Sequence, residues 1–283
     1  MNRGVGEIEA AQRLVPEWLY PLLEATTRLG DVSVLVAVTI AAVLVLERDR
    51  AVALFGIVIG GFALLAGLKA TFGFPRPPAE VQLVETATTG FPSGHALGAT
   101  VVYGALALAV DVGSRRARYV AVAILVSAIS LSRVVLGVHY LADIAVGGAT
   151  AVGYLWLADR SVRAGLGRTL AVALSLGVAA VAAAAVFGPT PRTDCLEAVC
   201  LDQDAAMWAG AAVGAATAWG VGDRWPTVLR PAFAFVVAFG LLAGGAVTVL
   251  YASPLLRVIP AAFGAAALVL LSGRGARVRQ RLQ

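Results

Sequence analysis

Charge is so unevenly spaced along this chain that most of it has only one stable solvent. The ranges 51–68, 169–187 and 232–250 contain no Asp, Glu, Lys or Arg at all. A helix needs ~20 mostly apolar residues to cross a bilayer, with ~17 to 25 tolerated. By that ruler about nine spans are expected, over 29–46, 51–68, 96–110, 119–136, 141–157, 169–187, 207–221, 232–250 and 254–271. Backbone polar groups in lipid must be satisfied within the segment, so segments of this length are helices. The expected fold is an all-α polytopic transmembrane helical bundle. Composition agrees: 59% of the 283 residues are hydrophobic and 14% charged, against ~45 to 50% and ~25% in an ordinary globular chain. Intrinsic disorder is excluded on the same numbers. The net charge of +5 suggests nucleic acid only superficially, because the basic residues are scattered between apolar stretches and form no stripe with interleaved aromatics.

The first residues do not read as a secretory signal, since Glu7, Glu9 and Arg13 interrupt them. Ile8, Ala11, Val15, Trp18 and Leu22 recur at helical spacing opposite Glu7, Arg13, Glu17 and Glu24, with kinks expected at Pro16 and Pro21. Residues 1–28 are therefore expected to form an N-terminal interfacial amphipathic segment, or else a cap packed over the bundle. Residues 29–187 form the expected membrane core. Residues 188–283 contribute an outer loop and about three more helices, whose open roles include self-association into a homo-oligomer.

Arginines set the expected orientation. Arg48 and Arg50, then Arg115, Arg116 and Arg118, then Arg160, Arg163 and Arg168, then Arg224 and Arg230, and finally Arg274, Arg277, Arg279 and Arg281 fall between alternate spans. All five clusters share one face, which the excess of arginine makes cytoplasmic, together with the C-terminus. The opposite face receives 70–95, the turn near 137 and the acidic segment 188–206. Cys195 and Cys200 lie in that outer segment, where a local disulfide is expected.

Three blocks carry the residues that such a chain can least afford without a reason. They are Lys69 to Pro77, Pro92-Ser93-Gly94-His95, and Ser132-Arg133 followed by His139 and Asp143. Each has a bland explanation: a snorkelling lysine, a solvated loop arginine, a serine cap, a satisfied His–Asp pair. Together they bring the only lysine and both histidines to one face. Ionisable groups beside membrane segments are expensive and mark function by default. Lys69, Arg76 and Arg133 suit a phosphate dianion, with arginine gripping as a fork and lysine as a point charge. The amides of Ser93, Gly94 and His95 at a helix start would add donors. His139 and Asp143, four residues apart, are expected to share one helical face, with the carboxylate holding one ring nitrogen and the other left as a nucleophile. His95 is then available as acid and base.

These blocks, K-x6-R-P, P-S-G-H and S-R-x5-H-x3-D, resemble the signature of the type 2 phosphatidic acid phosphatase family, integral membrane lipid phosphate phosphatases related to the vanadium haloperoxidases. Lys69, Arg76, Pro77, Pro92, Ser93, Gly94, His95, Ser132, Arg133, His139 and Asp143 all agree with it. The resemblance implies a phosphohydrolase that uses neither metal nor other cofactor. It assigns His139 as nucleophile, Asp143 as its orienting partner and His95 as acid and base. It makes Lys69, Arg76, Ser93, Gly94 and Arg133 the phosphoryl-holding residues, on the non-cytoplasmic face of the cell membrane. The expected substrate is a lipid phosphate or diphosphate such as a polyprenyl diphosphate, phosphatidate or phosphatidylglycerol phosphate, met in the bilayer. Transfer to another alcohol is the alternative within the same chemistry. A lipid transporter is the rival class, disfavoured because no paired interrupted helices recur in two halves.

Overall fold

The computed structural model describes residues 4–86, 89–187, 208 and 211–213. Among these residues every regular element is helical: α1 Val5–Leu14, α2 Tyr20–Arg28, α3 Val32–Val45, α4 Arg48–Phe72, α5 Gly94–Ala109, α6 Arg115–Val135, α7 Leu141–Arg163 and α8 Leu166–Phe187, with short 3-10 turns at Glu17–Leu19 and Ala79–Val81. Two compact units are distinguished. One comprises Met1–Val38 and Phe72–Trp156, the other Thr39–Thr71 and Leu157–Gln283.

Helices α4, α6, α7 and α8 are long and apolar enough to cross a membrane, as a membrane protein requires. The expected span 96–110 is the 16-residue α5, ~24 Å long and therefore shorter than the ~30 Å hydrocarbon core. The expected span 29–46 is interrupted: α3 begins only at Val32, and Glu17–Arg28 meets it at a 47° bend, so the pair is a broken span or a re-entrant loop, and the candidate spans among the described residues number four, or five if the pair is one span. The remaining expected spans and the Cys195–Cys200 disulfide fall essentially outside the described residues.

In the first unit, α5 and α6 pack on each other, and their Leu97, Val101, Val102 and Ile129 are fully or nearly fully buried. Serine caps start both helices: Ser93 Oγ accepts from the Ala96 amide (3.4 Å), and Ser114 Oγ from that of Ala117 (3.1 Å). Helices α1 and α2 lie against α6. The apolar stripe expected along 5–28 is split, because the backbone turns extended at Val15 and Pro16 before the 3-10 turn. Ile8 goes inward and is fully buried, whereas Leu14, Trp18 and Leu22 face outward. The Gln12 amide donates to the carbonyls of Val81 (2.9 Å) and Val135 (3.0 Å), tying α1 to the end of α6 and to the 79–83 loop.

That junction has a strict requirement at Gly137. Its φ is +73°, and a Cβ there would run into the Val81 carbonyl. Left-handed backbone alone costs a non-glycine residue ~1 to 2 kcal/mol, before the carbonyl moves. Gly137→Ala is therefore expected to lower the thermal midpoint in detergent and to disturb His139, two residues on. An unchanged midpoint and unchanged turnover would show that the turn relaxes freely.

The second unit is built on small residues. Ala66 and Ala70 of α4 pack against Ala180 and Ala184 of α8, and a Cβ on Gly67 would stand 3.2 Å from Ala180 Cα. Such close backbone approach is how helices associate where lipid removes the hydrophobic drive. Phe62 stacks on Trp208 with ring centroids 4.4 Å apart.

Candidate active site

The motif residues that follow Lys69 gather at one end of the first unit. Helix α6 carries arginines at its opposite end: Arg115, Arg116 and Arg118 open it. Arg115 and Arg133 are 18 residues apart on α6, ~27 Å at helical rise.

His139 is at the centre, 1% exposed, with Asp143 5% exposed beside it. Nδ1 of the ring lies 3.2 Å from Asp143 Oδ2. The pair does not arise from a shared helical face as the spacing suggested. His139 sits in the turn before α7, whereas Asp143 is in its first turn. The Asp143 carboxylate reaches back to accept the Tyr140 amide at 3.0 Å, as the third helical residue does in a capping box. It thereby holds the helix start and the imidazole together.

Arg76 settles the tautomer. Its Nη1 donates to the Val138 carbonyl (2.8 Å) and lies 3.1 Å from His139 Nε2. A guanidinium has no acceptor, so Nε2 is the unprotonated nitrogen and Nδ1 carries the proton that Asp143 accepts. Burial pushes the His139 pKa down to about 4, with Arg76 and Arg133 pushing the same way and Asp143 opposing. Because that value lies below the ordinary one, the neutral ring is the populated form at every pH above about 4. In 15N spectra of protein labelled at its two histidines, one ring is expected to stay neutral until that point. Titration of both rings near ~6.5 would contradict the arrangement.

The strap carrying Arg76 folds back on itself. The Gly90 amide donates to the Phe74 carbonyl (2.9 Å), and a Cβ at Gly90 would stand 2.9 Å from the Pro75 carbonyl oxygen. Burial lowers the Arg76 pKa from its ordinary value, while the Asp143 carboxylate pulls it back up. Arg133, near the end of α6, is 6% exposed. Its Nη1 donates to Thr27 Oγ1 at 3.1 Å, but its Nε is buried with no acceptor among the described residues. A buried charged donor without a partner is costly, and an anion would satisfy it.

Ser93 is fully buried and occupied differently from expectation. Its amide donates to the Asp143 carbonyl (3.1 Å), so of the three amides expected to meet an anion, that of Ser93 is taken by α7. Gly147 makes this contact between α5 and α7 close: a Cβ there would stand 3.0 Å from the Ser93 carbonyl oxygen. His95 Nε2 lies 3.0 Å from Asp31 Oδ1. Lys69 is in the last turn of α4, in the second unit. Sequence reasoning passed over Thr27 and Asp31. The available signal was that Asp31 is the one charged residue in 29–46.

A cleft of about 540 Å³ opens beside the dyad, lined by Phe74, Pro75, Phe91, Tyr140 and Asp143 among others. Phe72, Phe74 and Phe91 form an aromatic group at 5.3 to 5.9 Å between centroids.

Apolar helices among the described residues, with a buried imidazole–carboxylate pair beside guanidinium groups, suit a membrane protein that handles a phosphate ester. Residues 50–166 match the model of the PAP2 superfamily, which supports a PAP2 family protein. The match points to a phosphatase, with phosphatase or phosphotransferase chemistry on phosphate esters. No curated protein and no solved structure matches the chain.

Proposed function

We propose that this protein is a metal-independent membrane phosphohydrolase that removes the terminal phosphate of a lipid phosphate or diphosphate through a phosphohistidine. The observation that carries this reading is the Arg76–His139–Asp143 chain, which leaves a lone pair on Nε2 directly beside a guanidinium. In the first step Nε2 attacks phosphorus, the bond to the leaving oxygen breaks, and His95 gives that oxygen a proton. Asp143 keeps Nδ1–H in place and stabilises the charge that the ring acquires. Arg76, Arg133, Lys69, the Ser93 hydroxyl and the Gly94 amide hold the three phosphoryl oxygens. In the second step His95 takes a proton from water, the water oxygen bonds to phosphorus and the N–P bond breaks, releasing inorganic phosphate and restoring neutral His139.

Three features support the finer parts. Cations dominate the anion-facing groups, and the two carboxylates beside them, Asp31 and Asp143, are each held by a histidine, which suits charge stabilisation without a metal. The aromatic cleft accommodates the apolar carbon next to a headgroup. Arg115, Arg116 and Arg118 at the far end of α6 support a site on the non-cytoplasmic side by the positive-inside rule, within a catalytic core of 29–187.

Phosphate release from phosphatidate, phosphatidylglycerol phosphate and a polyprenyl diphosphate in detergent micelles tests the reading. Release from at least one, blocked by vanadate, is expected. Binding without release would favour transport, and a phosphorylated alcohol in place of free phosphate would favour transfer.

A further inference from the structure

We propose that the bend between α2 and α3, which lies outside the PAP2-matched residues, completes the site, and that Asp31 is the positioning residue of the acid, His95. The inference rests on the phosphatase reading above. Within five residues the bend meets two active-site side chains: Thr27 accepts from Arg133 Nη1 at 3.1 Å, and Asp31 Oδ1 lies 3.0 Å from His95 Nε2. Gly30, between them, is seated on the ring. A Cβ there would stand 2.8 Å from His95 Cδ2 and 2.7 Å from Ile129 Cγ2, closer than any side chain tolerates without movement. Tyr103 Oη holds the same bend by donating to the Leu29 carbonyl at 2.9 Å.

The chemistry follows from what a carboxylate can do. Ionised Asp31 only accepts, so Nε2 of His95 carries a hydrogen that stays with Asp31. The proton that moves is then the one on Nδ1. As the N–P bond to His139 forms and the P–O bond to the lipid breaks, the Nδ1 proton passes to the departing oxygen and His95 becomes neutral. In hydrolysis Nδ1 takes a proton back from water. Both histidines are thus oriented by a carboxylate, one supplied by the motif and one by a segment ahead of it.

Leaving groups separate this role from a structural one. An alkoxide needs the proton, whereas p-nitrophenolate leaves without it. In full-length protein in detergent, Asp31→Asn is expected to lower the single-turnover rate at which phosphatidate phosphorylates His139 by about ten- to a hundredfold, a part of what a general acid contributes. Phosphatidate affinity should change by less than about twofold, and the single-turnover rate of phosphorylation by p-nitrophenyl phosphate by less than about threefold, the hydrolysis step being common to both substrates. Asp31 is 44% exposed at its side chain, so the exchange leaves no buried gap. In a His95→Ala background, adding Asp31→Asn should have no further effect on phosphatidate, as residues acting through one another are non-additive. Equal losses on both substrates, no loss on phosphatidate, or full additivity with His95→Ala would each overturn the proposal. Absence of wild-type turnover on both substrates would overturn the phosphatase reading itself.

Discussion

His139→Ala is expected to lower lipid phosphate turnover by at least about a thousandfold, because it removes the attacking atom rather than tuning it. The buried ring is held from both sides, by Asp143 at Nδ1 and by Arg76 at Nε2, so no neighbouring imidazole substitutes for it. The other histidine, His95, is fixed at Asp31 by its Nε2. Phosphate release measured in micelles checks this. A variant retaining a tenth or more of the activity, in about the range that loss of a single positioning contact produces, would mean that water attacks phosphorus directly.

Arg133→Met is expected to separate activity from stability. Losing one key anion donor costs ~3 to 4 kcal/mol of transition-state stabilisation, so kcat/KM should fall by about a hundred- to a thousandfold. The fold should not suffer in proportion. Arg133 is buried with one donor lacking an acceptor, and replacing a buried charge by an apolar side chain of similar length is often neutral or stabilising. The thermal midpoint without substrate should hold or rise, and phosphate should no longer raise it. A collapse of the midpoint together with activity would make Arg133 a structural residue bound to Thr27.

How much of this was legible in the sequence depended on whether the signal was local. Pro16 marked where the N-terminal helix breaks, whereas Pro21 sits in the first turn of α2, and Ser93 marked a helix start, because capping and φ restriction act over a few residues. Lys69, Arg76, His95, Arg133, His139 and Asp143 stood out because charge is rare in this chain. The geometry among them was not local. Spacing suggested a shared face for His139 and Asp143, but a turn and a cap join them instead. The Ser93 amide looked available to an anion until α7 supplied the Asp143 carbonyl. Asp31 and Thr27 could not be read at all as site residues, since their partners lie 64 and 106 positions away. Hydrophobic length also misled at α3, where the run 29–46 continues through a 47° bend that hydropathy does not register.

The central claim is that phosphorus is bonded to His139 between the two steps. Rapid mixing of the intact protein with radiolabelled lipid phosphate, an alkaline quench and peptide mapping measures this directly. The account predicts acid-labile, base-stable label on the peptide containing His139, formed no slower than phosphate is released and absent from His139→Ala. Phosphate release at full rate with no label on the protein, or label that persists in His139→Ala, would contradict it.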